Sequence, residues 1–184
     1  MRLQGLVPDA QWKETQKHEQ WYIGDTYHLA IGQGDFLVTP LQIARMTLYF
    51  ATNGKWLMPH VVASLRDVAT SLSDGPNIDP EHVATVREGM RATITAGSAK
   101  SLQNLPVTSA GKTGTAQWST GKPPHAWFTG WAPYENPEIV VTVLVEEGNE
   151  GSTVSVPIAK EMIRFWMEHL KGQASHSTAI HTSH

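Results

Sequence analysis

Three runs in the second half of the chain, residues 107–118, 126–132 and 139–146, are rich in β-branched and aromatic residues and are separated by short glycine- and proline-containing loops. Connections that short leave no room for a crossover helix, so the strands are expected to pair antiparallel as a meander. A sheet needs cover for its faces, and helices to supply it are legible on either side. Thr39 can cap a helix, Pro40 suits its first position and Gln42 completes a capping box. That helix should run to about Thr52, where Asn53-Gly54 offers a left-handed stop, with Leu41, Ala44, Leu48 and Ala51 on its buried face. A second helix starts at Asp79-Pro80, carries Val83, Val86, Met90 and Ile94 on one face and fades near Gly97. A closing helix over residues 154–170 has Ile158, Met162, Phe165 and Trp166 as its apolar stripe. The expected class is α/β of the α+β kind, an antiparallel sheet with flanking helices.

The rest of the chain signals less. Residues 1–20 are polar without a clear period and read as a surface segment, while residues 21–34 read as extended segments meeting at tight turns around Gly24, Gly32 and Gly34. Residues 59–65 look like a strand and 71–77 like a loop; the tail, 172–184, has little to bury and is expected to be disordered. With 184 residues, 40% hydrophobic and 17% charged, the remainder lies in the range of one folded domain. The net charge of -3, with no Lys/Arg cluster, argues against a nucleic-acid partner. The lack of cysteine removes disulfides, zinc–thiolate sites and cysteine nucleophiles together.

Lys112-Thr113-Gly114-Thr115 falls inside the first of the three runs. Side chains alternate along a strand, so Thr113, Thr115 and Gln117 share one face, and Lys112, Gly114 and Ala116 share the other. The first face can hydrogen-bond a carboxylate or accompany an extended peptide added as a further strand. The second leaves room for close packing beside one cation. Taken alone, the four letters fit equally a threonine-rich strand with a solvated lysine.

The surrounding residues carry more. WYIGDTYHLAIGQGDFLVTPLQIA, AGKTGTAQ, HAWFTGWAPYENPEIVVTVLVEEG and a closing helix beginning VPIAKEMI follow one another in an order that resembles the penicillin-binding proteins, specifically the class B transpeptidases of the penicillin-binding protein 2 type. The resemblance covers residues 5–170. It implies a penicillin-binding-protein and serine-β-lactamase-like fold, with 1–171 as the C-terminal part of a transpeptidase domain. It further implies acyl transfer, in which a serine of an S-x-x-K motif attacks the penultimate D-Ala of a peptidoglycan stem peptide, and β-lactams acylate that serine. On that reading Lys112 and Thr115 are catalytic, Lys112 through its charge and Thr115 through its backbone N–H to the oxyanion. Thr113, Gly114, Thr115 and Gln117 bind substrate. The resemblance calls for no cofactor or metal, allows the cell-elongation machinery as a partner, and implies the outer face of the cytoplasmic membrane through an N-terminal anchor.

The family's first and second motifs, S-x-x-K and S-x-N, lie upstream of everything matched. No S-x-N triplet occurs in residues 1–184, and Ser119-Thr120-Gly121-Lys122, which satisfies the S-x-x-K letters, sits in an expected loop before Pro123-Pro124 rather than at a helix start. The chain is therefore expected to lack the nucleophile, as a truncated reading frame, an incomplete gene or a split chain would. The N-terminal half of its own domain becomes a missing partner, and the isolated chain should be marginally stable and inert to penicillin. The alternative is a non-catalytic module that recognises cell-wall peptides or acts as a scaffold. The nine histidines are scattered without convincing zinc spacing. Trp127, Phe128 and Trp131 are read as packing residues, and Gly32-Gln33-Gly34 as a structural turn.

Overall fold

The expected meander forms the centre of the chain, in a computed structural model that describes residues 5–57, 59 and 73–170. β3 (Ala110–Ala116), β4 (His125–Ala132) and β5 (Ile139–Val145) pair antiparallel in the order β3-β4-β5. Thr113 lies opposite Phe128 and Gly114 opposite Trp127; Phe128 in turn faces Val143. β4 is central and correspondingly dry: Phe128 and Trp131 are fully buried, as expected for packing aromatics.

The alternation of side chains divides the core in two. Phe128, Ala132, Val141 and Val143 meet Leu102, Leu105, Val156, Ala159 and Ile163 on one side. Trp131 and Ala110 meet Ala51 and Met90 on the other. Three helices supply this cover: α3 (Pro40–Ala51), α4 (Pro80–Thr95) and α5 (Ser155–Phe165). α3 starts with the expected box, Thr39 Oγ1 accepting from Gln42 N–H and Gln42 Oε1 from Thr39 N–H. It ends where Asn53 and Gly54 take positive φ.

Several expectations are corrected. Residues 1–20 contain a helix, α1 (Ala10–Lys17), capped by Asp9 accepting from Trp12 N–H. Within 21–34 lies another, α2 (Ile23–Ala30), begun by Asp25 accepting Tyr22 N–H; Gly24 is inside it and makes no turn. Both short helices are joined by Lys13, a buried lysine 2.7 Å from Asp25. In the segment read as a loop, β2 (Ser73–Asp74) pairs with β1 (Lys55–Trp56). The strand read over 59–65 and the tail over 172–184 lie outside the described residues, apart from Pro59.

The buried faces also shift. α3 buries Thr47, Tyr49 and Ala51 while Leu41 is exposed. α4 buries Arg87 in place of the exposed Val86. α5 buries Ser155, Val156, Ala159 and Ile163, and its larger residues Ile158, Met162 and Phe165 face outward. Small and β-branched residues let α5 approach the valines of β5 closely, which outweighs the greater area of the other stripe. The helix continues as a π-helical turn, Trp166–Leu170.

Candidate functional site

Among the described strands β3 pairs with β4 alone, which leaves its other edge open along the Lys112-Thr113-Gly114-Thr115 segment. Tight backbone packing holds the strand in place. A methyl carbon at Gly111 would stand 2.5 Å from the Phe128 ring, and one at Gly130, its partner across the ladder, 2.4 Å from the Ala110 carbonyl oxygen. Beneath Gly114, the loop after β5 brings Gly151 so close that a Cβ there would meet Trp127 O at 2.2 Å and Gly114 O at 2.7 Å. Glycine is required at 151 and 130 by this approach of backbone to backbone.

On the open edge the side chains are arranged as follows. Thr113 is half-buried and its Oγ1 lies 2.7 Å from Ser98 Oγ, a hydroxyl delivered by the turn after α4. Lys112 is exposed, and its ammonium donates to Thr113 O at 2.7 Å. Thr115 is exposed. Its carbonyl accepts from Gln33 Nε2 at 3.0 Å, and Gln33 Oε1 accepts from Gln117 N–H at 3.2 Å. In an extended strand the N–H and C=O of one residue project to the same side. The bond from Gln33 to Thr115 O therefore places Thr115 N–H on the open edge too.

The structure thus brings Lys112, Thr113, Gly114 and Thr115 onto one short stretch of edge, beside Ser98 and Gln33. Gln117 lies just past the strand. Its side-chain NH2 donates to Ser119 O at 2.6 Å and Lys122 O at 3.0 Å, which ties it into the β3–β4 hairpin. Ser119 to Lys122 form that hairpin turn, with Gly121 at φ +78°, so Lys122 is not buried against Ser119 on a helix; it pairs with Glu147 at 3.5 Å.

Sequence reading missed Ser98 and Gln33. No local signal marks Ser98, since its meeting with Thr113 depends on how α4 lies beside β3. Gln33 had one: it stands between two glycines of positive φ, Gly32 at +68° and Gly34 at +72°. These shape the turn, and Gln33 N–H donates to His28 O at 2.8 Å, which fixes the turn to the end of α2. α2 is anchored in turn by Asp25, whose carboxyl is held below the usual carboxylate range by its hydrogen bond from Lys13 and by Tyr22 N–H.

Chemically the edge is a row of donors. The two carbonyls of the stretch on the open side, Thr113 O and Thr115 O, are occupied from within, by Lys112 and by Gln33. What faces outward is a cation, hydroxyls and the Thr115 N–H, groups that match a carboxylate or a developing oxyanion.

Similarity to known proteins identifies the family of the chain. The family model of the penicillin binding protein transpeptidase domain matches residues 7–164. The peptidoglycan D,D-transpeptidase MrdA of Haemophilus influenzae is 31% identical over 185 residues, covering 88% of this chain and 28% of the relative. The peptidoglycan D,D-transpeptidase PbpA of Mycolicibacterium smegmatis is 34% identical, covering 73% of this chain and 30% of the relative. Among solved structures, PBP2 of Helicobacter pylori in its complex with MreC superposes with a TM-score of 0.78 at 34% identity, over 90% of this chain and 31% of that one. PBP2 of Pseudomonas aeruginosa in complex with WCK 5153 gives 0.72 at 34% identity, over 88% and 38%. The chain spans less than a third of the length of these curated relatives.

Proposed function

The chain belongs to the penicillin-binding protein transpeptidase family, and from that premise we propose that it forms the K-T-G wall of a peptidoglycan D,D-transpeptidase active site. The observation that carries this reading is the donor-rich edge of β3: Lys112 ammonium, the Thr113–Ser98 hydroxyl pair 2.7 Å apart, and an exposed Thr115.

In the proposed reaction a serine oxygen adds to the carbonyl carbon of the penultimate D-Ala of a stem peptide. The carbonyl oxygen becomes an oxyanion, the C–N bond breaks, and the terminal D-Ala leaves as an amine carrying the serine's proton. An amine of a neighbouring stem peptide then displaces the serine, forming the cross-link. Thr113 and Thr115 hold the terminal carboxylate and Lys112 sets its charge beside the carboxylate and the serine. Thr115 N–H donates to the oxyanion, where one such donor is worth on the order of a hundredfold in rate. Gly114 leaves room for the element that carries the serine. Gln117 assists through the hairpin that its amide braces.

Residues 1–184 hold no S-x-N triplet, and the S-x-x-K letters fall at Ser109–Lys112, which runs into β3 itself, and at Ser119–Lys122, in a hairpin turn, neither of them at a helix start. The nucleophile therefore comes from other polypeptide, the remainder of the domain, and this chain alone is inactive. Two surfaces support such a partner: β5 pairs only with β4 among the described strands, and Ile158, Met162 and Phe165 present an uncovered apolar stripe beside Ile139 and Trp166. β-Lactams, which resemble the D-Ala-D-Ala end, would bind the same wall. One relative solved in complex with MreC and another within a peptidoglycan synthase complex support assembly with the elongation machinery; the proposed reaction runs on the outer face of the cytoplasmic membrane, where peptidoglycan is made. No described helix is long and apolar enough to cross a membrane. The alternative, a peptide-recognition module, uses the same edge without the covalent step.

Binding of diacetyl-L-Lys-D-Ala-D-Ala to the 184-residue chain, followed by hydrogen–deuterium exchange over β3, tests the reading. Protection is expected with the free carboxylate and should fall about tenfold in affinity for the C-terminal amide or for Thr115→Val, the cost of a charge-assisted hydrogen bond. Equal binding of acid and amide would overturn it.

A further inference from the structure

Gln33 does something at the β3 edge that a structural turn does not require. Its amide nitrogen donates to Thr115 O at 3.0 Å and its amide oxygen accepts from Gln117 N–H at 3.2 Å. One side-chain amide thus satisfies an acceptor and a donor on the same strand edge, as the peptide group of an adjacent strand would. The partners lie 82 and 84 positions away, and Gln33 is thrust toward them by a turn with a positive-φ glycine on each side.

We infer that Gln33 is an internal stand-in for a ligand strand, displaced when a bound peptide extends along β3, and so sets the cost of binding long peptides relative to short ones. A ligand whose carboxylate rests by the Ser98–Thr113 hydroxyls continues along the edge past Thr115 toward Gln117. An acetylated dipeptide reaches Thr115 O with its one amide N–H but ends before Gln117 N–H. A longer peptide presents its own amide N–H and carbonyl to Thr115 O and Gln117 N–H, the two groups that Gln33 holds. Removing the amide should therefore strengthen binding of the longer ligand, whereas a residue that merely supports the site would weaken binding when removed. The inference rests on the carboxylate-binding role proposed for this edge.

The full chain, as wild type, Gln33→Met and Gln33→Ala, would be followed by hydrogen–deuterium exchange at micromolar concentration, titrated with acetyl-D-Ala-D-Ala and with diacetyl-L-Lys-D-Ala-D-Ala. Methionine keeps the length of the side chain and loses both bonds, so it guards against collapse of the turn in the alanine variant. Gln33→Met should bind the longer ligand about fivefold more tightly, as expected for release of one or two neutral hydrogen bonds, and the dipeptide, which competes for Thr115 O alone, by a clearly smaller factor. Exchange at the Gln117 amide should quicken without ligand. Equal or weaker binding of the longer peptide by both variants, with protection of β3 intact, would overturn the role of Gln33 alone. Unchanged Gln117 exchange would overturn it as well. Absence of protection by either ligand in all three proteins would overturn the carboxylate-binding reading and this inference with it.

Discussion

Thr129 ties the centre of the sheet to the helix above it. Its hydroxyl lies 2.7 Å from Thr47 Oγ1 on α3 and 2.8 Å from Thr142 Oγ1 on β5, and Thr47 also donates to Ile43 O. Valine fills the same space but offers no partner to one buried and one half-buried hydroxyl. Thr129→Val should cost about 1–2 kcal/mol, read as a lower urea midpoint at unchanged slope. The Lys13–Asp25 pair makes a prediction in pH. Asp25 is held below its ordinary value chiefly by the Lys13 hydrogen bond, so its contribution is present above the ordinary carboxylate range and is lost as pH falls through the lowered value. Lys13 is raised chiefly by Asp25, so its contribution is full below the ordinary lysine value and is lost only as pH rises through the raised one. Exchange protection of α2 and the Gln33 turn, corrected for intrinsic rates, should therefore hold through neutral pH and fall on acidification. Asp25→Asn should flatten that acid limb, and an unaltered limb would refute the assignment.

Arg87 shows how whole elements are joined. Its guanidinium, buried on α4, donates to Phe50 O and Ala51 O at the C-terminal end of α3, each at 2.5 Å, and to Tyr134 O at 3.2 Å, while lying over Trp131. Arg87→Met would leave the α3 carbonyls without that partner and should cost about 3 kcal/mol by urea denaturation. Arg87→Lys should recover only part, since one ammonium cannot span the three carbonyls. A buried arginine of this kind is invisible to a hydrophobic stripe, which is why Val86 looked the better core residue. The same logic separates what was legible from what was not. The α3 cap and stop, the α4 start and the three strands rest on local signals that neighbouring residues complete. α1 and α2 have local caps in Asp9 and Asp25, but they are held together by a lysine and an aspartate twelve positions apart. α5 carries two apolar stripes, and only the sheet decides which is buried. At the site, Lys112 to Thr115 could be read from the strand period, but Ser98 and Gln33 reach it through tertiary packing.

The molecule leaves two apolar surfaces open among the described residues. Its sheet ends on β5, whose outer edge is unpaired among the described strands and whose residues are apolar, and such an edge invites pairing with another chain. Next to it Ile158, Met162 and Phe165 are 42%, 45% and 56% exposed, a contiguous patch of the sort that marks an interface. If other polypeptide of the domain covers these surfaces and brings the serine to β3, covalent capture by penicillin must depend on assembly. Residues 1–184 alone should therefore take no covalent label from a fluorescent penicillin. Mixed with the preceding portion of the Haemophilus influenzae relative's transpeptidase domain, the chain should form a complex that labels, with the label on the added polypeptide. Phe165→Glu should abolish that labelling while moving the chain's own unfolding free energy in urea by no more than about 0.5 kcal/mol, because the side chain is solvent-facing before assembly. Lys112→Ala should spare assembly and suppress labelling, separating the surface that recruits from the strand that reacts. Labelling of the 184-residue chain by itself would show that a serine within it is the nucleophile, and the division of labour drawn between β3 and the rest of the domain would be wrong.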